Sequence, residues 1–310
     1  MLRKTFLWLS DQPTIFKFVR NNGLAKKFAG RFVAGETLDT AVAAVRELNA
    51  RRISASLDLL GESVTNDAEA RAAGAEYLAM LDRIAAEKLD ANVSLKLTQM
   101  GLDISESLCV EIVRGVLTRA KQYGTFVRLD MESSAYTERT LKLFEQKLYP
   151  GFEKNVGIVL QSYLMRTEGD VKRAIALGAR VRLCKGAYKE PPTVAFPDKR
   201  DVDANYVRCM RQLMQEGNYP GLATHDESII ETAKAWAKEQ GIEAKRFEFQ
   251  MLYGIRRDLQ DAIVREGFNM RVYVPFGTQW YPYLMRRLAE RPANVAFITG
   301  SVMREAFRRR

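Results

Sequence analysis

Residues 180–188 have the sequence Arg180-Val181-Arg182-Leu183-Cys184-Lys185-Gly186-Ala187-Tyr188, which is a strand pattern followed by a polar turn. Polar and apolar residues alternate up to Cys184, as in a β-strand, and Lys185-Gly186 then places a cation beside a residue without a Cβ atom. An anionic group could approach the backbone there, although ordinary solvated turns have the same composition. The other strand ends of the chain help to decide between these interpretations.

The strand pattern recurs along the chain. Eight short runs are rich in Val, Ile, Leu and Phe, at residues 53–59, 91–97, 126–131, 157–161, 180–184, 221–224, 247–252 and 270–274. The segments between them have the spacing of amphipathic helices, at residues 68–87, 105–122, 138–147, 168–177, 204–216, 228–239 and 255–266. Alternation of strand and helix is typical of parallel βαβ units. Eight such units predict an α/β fold of the (β/α)8 TIM-barrel type.

Two regions are expected. Residues 1–50 precede the first strand and have helical spacing throughout, so we expect an N-terminal helical extension that packs on the lower end or the side of the barrel. Within it, Thr37 followed by Asp39 is a helix-start signal. Residues 51–310 are expected to form the catalytic barrel, with its last helix or pair of helices between about 279 and 309.

Charge and hydropathy limit the partners of the chain. Lys and Arg total 48 against 38 Asp and Glu, and this excess of +10 favours an anionic partner such as nucleic acid, a membrane surface or a phosphorylated ligand. The sequence has no finger motif, RNP-type aromatic motif or basic arm, which disfavours nucleic acid. No run reaches the ~18 apolar residues of a membrane span. We therefore expect a cytoplasmic protein with, at most, peripheral contact to the anionic inner face of the membrane.

Cysteine and histidine are scarce. Cys109, Cys184 and Cys209 are far apart and odd in number, so they predict neither a disulfide framework nor a zinc site, and they fit a reducing cytosol. His225 is the only histidine, which excludes a multi-histidine metal centre. The sequence therefore predicts no metal.

Polar and aromatic residues stand at the ends of the predicted strands, where a (β/α)8 barrel builds its active site. Lys96 and Asp130 lie inside apolar runs, where an unpaired charge would be costly, so they are expected to pair or to serve a ligand. Buried ion pairs also occur for packing alone. Other polar and aromatic residues at these strand ends are Asp58, Glu62, Gln99, Glu132, Gln161, Arg182, Lys185, Thr224, His225, Gln250 and Tyr273.

The last predicted helix carries a polar face. Tyr283, Arg286, Arg287 and Glu290 are spaced so that they share one side of it. Two adjacent arginines near a helix N-terminus are disfavoured by the macrodipole and by each other, which favours an anion between them. Paired guanidinium groups bind a carboxylate or a phosphate in bidentate geometry. The alternative is that both arginines extend into solvent.

Five motifs occur in the order found in the proline dehydrogenase family, and the chain resembles the single-function bacterial members of that family. The motifs are residues 182–191 (RLCKGAYKEP), 223–226 (ATHD), 247–254 (FEFQMLYG), 271–277 (RVYVPFG) and 283–288 (YLMRRL). Residues 31–36 (RFVAGE) and 57–62 (LDLLGE) also resemble the family. The resemblance thus extends from about residue 31 to residue 290.

The resemblance implies an FAD enzyme that oxidises L-proline to Δ1-pyrroline-5-carboxylate by hydride transfer to flavin N5 and passes the electrons to a membrane quinone. This is the first step of proline catabolism to glutamate. Positions that match cofactor contacts in the family are Gln161, Arg182, Cys184, Lys185, Gly186, Ala187, Tyr188, Thr224, His225, Gln250 and Glu290. Positions that match the substrate pocket are Lys96, Asp130, Leu252, Tyr273, Tyr283, Arg286 and Arg287, with the arginine pair holding the proline carboxylate. No side chain is assigned as a base, because the amine can lose its proton before hydride transfer.

Two positions depart from the family pattern, and two other functions use the same residues. Cys184 and Lys189 stand where many relatives have Val and Trp, and Lys189 leaves the adenine contact unassigned. A barrel for a phosphorylated sugar or acid would use Lys185 and the arginine pair. A basic scaffold would dock on anionic membranes or nucleic acid through residues 26–27 and 308–310. A bound flavin would distinguish the enzyme from both.

Overall fold

The computed structural model describes residues 29–61, 63–283 and 285. In this part of the chain eight parallel strands close into a barrel, each strand pairing with the next and the last with the first. The strands are β1 Ser54–Leu59, β2 Ala91–Leu95, β3 Val127–Leu129, β4 Val156–Gln161, β5 Arg180–Cys184, β6 Gly221–Ala223, β7 Glu248–Leu252 and β8 Asn269–Phe276. The predicted (β/α)8 barrel is therefore confirmed.

Helices precede the first strand and connect the strands. They are α1 Leu38–Ala50, α2 Asp67–Ala86, α3 Glu106–Gln122, α4 Ser134–Leu143, α5 Thr167–Ala176, α6 Lys199–Glu216, α7 Glu227–Glu239 and α8 Arg257–Arg265. A π-helical turn, Phe144–Leu148, continues α4, and a 3-10 turn, Ala244–Arg246, precedes β7. Thr37, Asn66 and Ser105 begin α1, α2 and α3 because each side-chain oxygen accepts a hydrogen bond from a backbone N–H three residues later.

Two helices differ from the sequence-based bounds. The helix predicted from residue 204 begins at Lys199, because the first turn of α6 is almost entirely polar and shows no apolar spacing. The helix predicted at residues 138–147 instead begins at Ser134 and ends in the π-helical turn. Both differences are local and leave the order of strands and helices unchanged.

The described part of the N-terminal region attaches to the first and last strands. Helix α1 packs against the outer side of β1 and β8, so it lies on the side of the barrel. Residues 30–37 are turns and bends rather than helix, and they bond to the carboxyl end of β8: the Ala34 N–H donates to Pro275 O at 2.8 Å, and the Gly277 N–H donates to Gly35 O at 3.0 Å. Residues 1–28, the larger part of the predicted extension, lie outside the described residues.

The apolar core lies between the strands and the surrounding helices. Leu57, Val93, Leu129 and Ile158 stand at alternate strand positions and are fully buried in this layer. Their neighbours in sequence face the barrel axis. Within the described ranges, no helix is long and apolar enough to cross a membrane.

Candidate active site

Arg182 is a buried cation at the centre of a hydrogen-bonded group in the barrel interior. The Arg182 guanidinium donates hydrogen bonds to Asp130 Oδ1 at 2.9 Å, Ser94 Oγ at 3.0 Å, Ser56 Oγ at 3.3 Å and Gln250 Oε1 at 2.6 Å. These partners come from β1, β2, β7 and the end of β3, so all five side chains point to the axis. A salt bridge with Asp130 balances the charge of Arg182, whose side chain is 7% exposed.

A lysine between two carboxylates stands next to Arg182. Lys96 Nζ lies 2.9 Å from Asp58 Oδ1 and 3.6 Å from Asp130 Oδ2. The Tyr273 hydroxyl donates to Asp130 Oδ2 at 2.7 Å. Lys96 and Asp130 thus form the ion pair expected from the sequence, but Asp58 is the nearer partner of Lys96. Asp58 stands at a predicted strand end but is not among the predicted pocket residues.

The two carboxylates have pKa shifts of opposite sign. Burial raises the pKa of Asp58, and Lys96 offsets this only in part. Asp58 Oδ2 is buried and accepts no hydrogen bond from the described residues. Burial would also raise the pKa of Asp130, but Lys96, Arg182 and the Tyr273 hydroxyl hold it below its ordinary value. An environment that separates the pKa values of two neighbouring carboxyls is a common feature of catalytic sites.

Lys96 and Tyr273 keep their protons near neutral pH. Burial alone would lower the pKa of Lys96, but Asp58, with smaller contributions from neighbouring groups that include Asp130, raises it well above its ordinary value. Burial, reinforced by Asp130, raises the pKa of the Tyr273 hydroxyl far above its usual range. At neutral pH the site therefore holds a charged ammonium group, and a neutral phenol that donates to a carboxylate.

A second group of charges joins the loops after β5 and β6. Lys185 Nζ lies 2.5 Å from Asp203 Oδ1 and 2.8 Å from Asp226 Oδ2. Lys199 contacts the same two carboxylates. Asp203 is on α6, whose polar first turn the sequence did not reveal, so this partner of Lys185 was not predicted. The four charges fix Lys185 at the rim of the barrel.

The loop after β6 also carries hydrogen-bonding groups. His225 Nε2 accepts a hydrogen bond from the Leu252 N–H at 2.9 Å, so the ring proton of the neutral imidazole is on Nδ1. The Thr224 hydroxyl oxygen accepts from the Asp226 N–H at 3.1 Å. On β4, Gln161 Nε2 donates to Glu132 O at 2.8 Å. The loop bonds hold Thr224 and His225 beside the end of β7.

Gly186 has a packing role that the sequence did not indicate. Its φ is +103°, and a Cβ atom there would lie 2.2 Å from the Tyr163 ring. The absence of a side chain therefore makes room for Tyr163 and permits a left-handed backbone. The approach of an anionic group to this backbone stays a prediction. Tyr163 also packs with Tyr188 in a small apolar cluster beside this loop. Cys184 and Ala187 are half-buried.

The remaining predicted site residues are on β7 or near the C-terminal end of the described chain and beyond it. Tyr283 is buried in a separate cluster with Phe32, Trp280 and Tyr281. Leu252, at the end of β7, is half-buried. Three predicted residues lie outside the described ranges, namely Arg286, Arg287 and Glu290.

The structure thus joins two sets of residues, one predicted to bind the substrate and the other predicted to bind the cofactor. Lys96, Asp130 and Tyr273, predicted for the substrate, form one hydrogen-bonded network with Arg182 and Gln250, predicted for the cofactor. Asp58, Ser56 and Ser94 belong to this network and were missed as site residues. Their signal is the alternation of β1 and β2, in which small polar residues occupy every second position.

A closed (β/α)8 barrel with charged and hydroxyl-bearing side chains at the carboxyl ends of its strands defines a barrel enzyme. Comparison with known proteins identifies which kind. The family model described as proline dehydrogenase matches residues 41–300. The chain is 44% identical over 305 residues to proline dehydrogenase 1 of Bacillus subtilis subsp. natto, covering 98% of this chain and 100% of that protein. It is 40% identical over 307 residues to the proline dehydrogenase of Deinococcus radiodurans, with 98% of each covered.

A solved structure supports the same assignment. Proline utilization A (PutA) from Bdellovibrio bacteriovorus, inactivated by N-propargylglycine, superposes with a TM-score of 0.80 at 26% sequence identity. The match covers 92% of this chain and 37% of that one. The chain belongs to the proline dehydrogenase family and is an enzyme of proline oxidation.

Proposed function

We propose that the enzyme oxidises L-proline to Δ1-pyrroline-5-carboxylate, with FAD as the hydride acceptor and a quinone as the final electron acceptor. The observation that carries this proposal is the network of Lys96, Asp58, Asp130, Arg182 and Tyr273 in the barrel interior. It occurs in a chain that is similar over nearly its full length to proline dehydrogenases.

The hydrogen-bonding groups at the mouth fit a flavin nucleotide. Arg182 and Lys185 are cations, and neutral His225 carries its ring proton on Nδ1, so the chemistry of these three side chains suits the carbonyl and phosphate oxygens of FAD. When bound, FAD supplies the acceptor for the hydride that leaves C5 of proline. The other residues proposed to hold it are Gln161, Cys184, Gly186, Ala187, Tyr188, Thr224, Gln250 and Glu290.

Substrate binding is assigned to the residues on the other side of the network. Arg286 and Arg287 are proposed to hold the proline carboxylate, and Lys96, Asp130, Leu252, Tyr273 and Tyr283 to shape the pocket. The charges of Asp58 and Asp130 are matched by those of Lys96 and Arg182. With no excess negative charge in this network, the site favours the neutral amine over the ammonium form. A neutral amine is also the form that can release a hydride from C5.

The arrangement of the whole chain is proposed on sequence grounds. Residues 1–50 would form a helical extension and residues 51–310 the FAD-binding barrel. The net charge of +10 would draw the enzyme to the anionic inner face of the membrane, where a quinone is available. Liposome binding that weakens as salt rises would support this placement, and salt-insensitive binding would contradict it.

An absorption spectrum tests the redox chemistry. The purified protein should show flavin bands that bleach on anaerobic addition of L-proline and return when a soluble quinone is added. Mass spectrometry should detect a product two hydrogen atoms lighter than proline, and D-proline serves as the control. A colourless protein, or flavin bands that L-proline leaves unchanged, would contradict the proposal.

An inhibitor and two variants test the pocket. N-propargylglycine, a secondary amine with a carboxylate, should inactivate the enzyme, and L-proline should protect it. Arg286→Met and Arg287→Met should each weaken proline binding by about 2–4 kcal/mol, because each removes a charge-assisted hydrogen bond to a desolvated carboxylate. A ring ether with the same carboxylate should lose affinity in parallel. Loss of FAD with unchanged proline binding would instead assign the arginines to the cofactor.

A further inference from the structure

We propose that Glu248 and Gln250 hold Arg182 in position through a chain of hydrogen bonds, which we call the relay. We also propose that the lack of a side chain at Gly221 leaves the space that the Gln250 amide needs in this relay. The inference rests on the proposed function, because it assumes that the network around Arg182 is the site of proline oxidation. Glu248 and Gln250 are inward-facing residues of β7, and both are buried. Glu248 and Gly221 have no assigned role in the site.

The relay is a continuous chain of short contacts. Arg271 Nε lies 2.8 Å from Glu248 Oε1 and 3.1 Å from Glu248 Oε2, and another guanidinium nitrogen of Arg271 donates to Ala55 O at 2.8 Å. Gln250 Nε2 donates to Glu248 Oε1 at 2.5 Å. Arg182 Nε donates to Gln250 Oε1 at 2.6 Å. The backbone of β1 is thereby linked to the guanidinium that binds Asp130.

The hydrogen-bonding groups of Glu248 and Arg182 allow the side-chain amide of Gln250 only one orientation. Burial would raise the pKa of Glu248, but Arg271 holds it below its ordinary value, so the Glu248 carboxylate only accepts hydrogen bonds. The Arg182 guanidinium only donates. Gln250 must therefore turn its NH2 group to Glu248 and its oxygen to Arg182. Reversal of the amide would place donor against donor and acceptor against acceptor.

Gly221 provides the space for the amide. Strand β6 lies between β5 and β7, and Gly221 pairs in register with Arg182 on one side and Glu248 on the other. A Cβ atom at position 221 would lie 2.4 Å from Gln250 Nε2 and 2.9 Å from Gln250 Cδ. Any side chain at this position would displace the amide from its place between the carboxylate and the guanidinium.

The position of Arg182 in turn affects the pocket. While Nε of Arg182 is held by Gln250, the two other guanidinium nitrogens bind Asp130, Ser94 and Ser56. Asp130 is the acceptor for Tyr273 and the second partner of Lys96. A shift of the amide would therefore move the carboxylate at the mouth, although Glu248 itself lies deeper in the barrel.

Gly221→Ala tests the relay without changing a charge or a polar group of the site. Misplacement of a site group by about 1 Å costs up to about 100-fold in rate, so we expect kcat/KM for proline to fall about 10- to 100-fold. The melting temperature should also fall, because the displaced amide leaves buried groups of Glu248 and Arg182 without a partner, and a control described below separates that loss from the loss of rate. Gly115→Ala in α3, where a Cβ atom meets open space, is the matched control and should keep its kcat/KM.

A pair of exchanges provides a second test. Glu248 Oε1 accepts from Arg271 and Gln250, and Glu248 Oε2 accepts from Arg271 and Tyr219. Glu248→Gln replaces one of these acceptors by an NH2 group and should lower kcat/KM by about tenfold or more. Adding Gln250→Glu restores the order of donors and acceptors, because an amide then joins Arg271 to a carboxylate that faces Arg182. The double variant should therefore recover most of the lost kcat/KM, whereas Gln250→Glu alone should be impaired by two adjacent carboxylates.

A control variant separates positioning from general loss of stability. Asp170 lies on α5 and not on a strand, is 5% exposed, and is bound by Arg166. Asp170→Asn should lower the melting temperature and leave kcat/KM unchanged. The relay is wrong if Gly221→Ala and Glu248→Gln keep kcat/KM within about twofold of the wild type, or if the double variant recovers nothing. If the wild type itself carries no flavin, the proposed function fails instead, and proline turnover in these variants remains a measure of the relay.

Discussion

The two faces of the barrel strands differ in chemistry. Leu57 faces outward from β1 into the apolar layer beneath the helices, whereas its neighbour Asp58 faces the axis and binds Lys96. The same division separates Leu129 from Asp130 at the end of β3. The interior of a (β/α)8 barrel is commonly filled by Val, Ile and Leu. Here it holds an ionic network, so the outward face specifies the fold and the inward face carries the site.

The largest effect is expected on the outward face. Leu57→Ala should lower the free energy of unfolding by about 2–5 kcal/mol, because it removes buried methyl groups and leaves a cavity in a fully buried layer. Activity per folded molecule should stay within about twofold. Urea unfolding gives the free energy, and kcat/KM is measured on the folded, cofactor-loaded fraction. A stable variant with impaired turnover would overturn the division between the two faces.

The adjacent residue should show the opposite behaviour. Asp58→Asn removes the nearer carboxylate of Lys96, so the ammonium group should move towards Asp130 and kcat/KM for proline should fall about 10- to 100-fold. The loss of unfolding free energy should be smaller than for Leu57→Ala, because Lys96 keeps Asp130 and one orphaned buried oxygen is no longer charged. Normal turnover in Asp58→Asn would remove this carboxylate from the site.

The fold was predictable because the outward face repeats. Apolar residues at every second strand position, separated by helical segments, located all eight strands to within a few residues. The start of α6 was misplaced because Lys199–Asp203 contains a single apolar residue, so it offers no apolar spacing. Buried apolar residues therefore allowed the strands to be located, and their absence from the first turn of α6 explains why the start of that helix was misplaced.

The site was predictable only in part, because its contacts are made across the barrel. Lys96 and Asp130 were recognised as charges within apolar runs, and the structure joins them. Asp203, a partner of Lys185, lies on a helix whose start has no pattern, and the contact of Gly186 with Tyr163 joins two different loops. A one-dimensional pattern shows which residues face inward, but not which inward residues meet.

The loops after β5 and β6 belong to neither face of the strands. They therefore offer a further test of the comparison between the outward and inward faces. With Lys185 in its proposed cofactor role, Lys185→Met should lower FAD affinity by about tenfold, because one charge-assisted contact to an anionic group is lost. Lys199→Met is the control, since Lys199 contacts the same two carboxylates but is 67% exposed. FAD content after dialysis measures the difference. Full FAD occupancy and normal turnover in Lys185→Met would count against a cofactor role.

The smallest effect is on the pH dependence of the free energy of unfolding. The slope of this dependence should have one sign for a carboxyl at the rim of the barrel and the opposite sign for one in the interior. Burial would raise the pKa of Asp226, but hydrogen bonds from Lys185 and Ser228 hold it below its ordinary value. A carboxyl with a lowered pKa in the folded state adds stability above its unfolded pKa of about 3.9, and that stability is lost as pH falls further. The difference in unfolding free energy between wild type and Asp226→Asn, about 1 kcal/mol or less, should therefore stay constant from about pH 8 to 5 and shrink below about pH 4.

Asp58 should show the reverse slope. Its pKa is raised by burial, so the folded state binds a proton more tightly than the unfolded chain does. Wild-type stability relative to Asp58→Asn should then increase as pH falls from the raised pKa towards about 3.9, before the Asp226 contribution begins to fade. Urea unfolding of the three proteins over this range measures both slopes. Slopes of the same sign would mean that the interior carboxylate is as well satisfied as the one at the rim, and the contrast between the two regions would not hold for their charges.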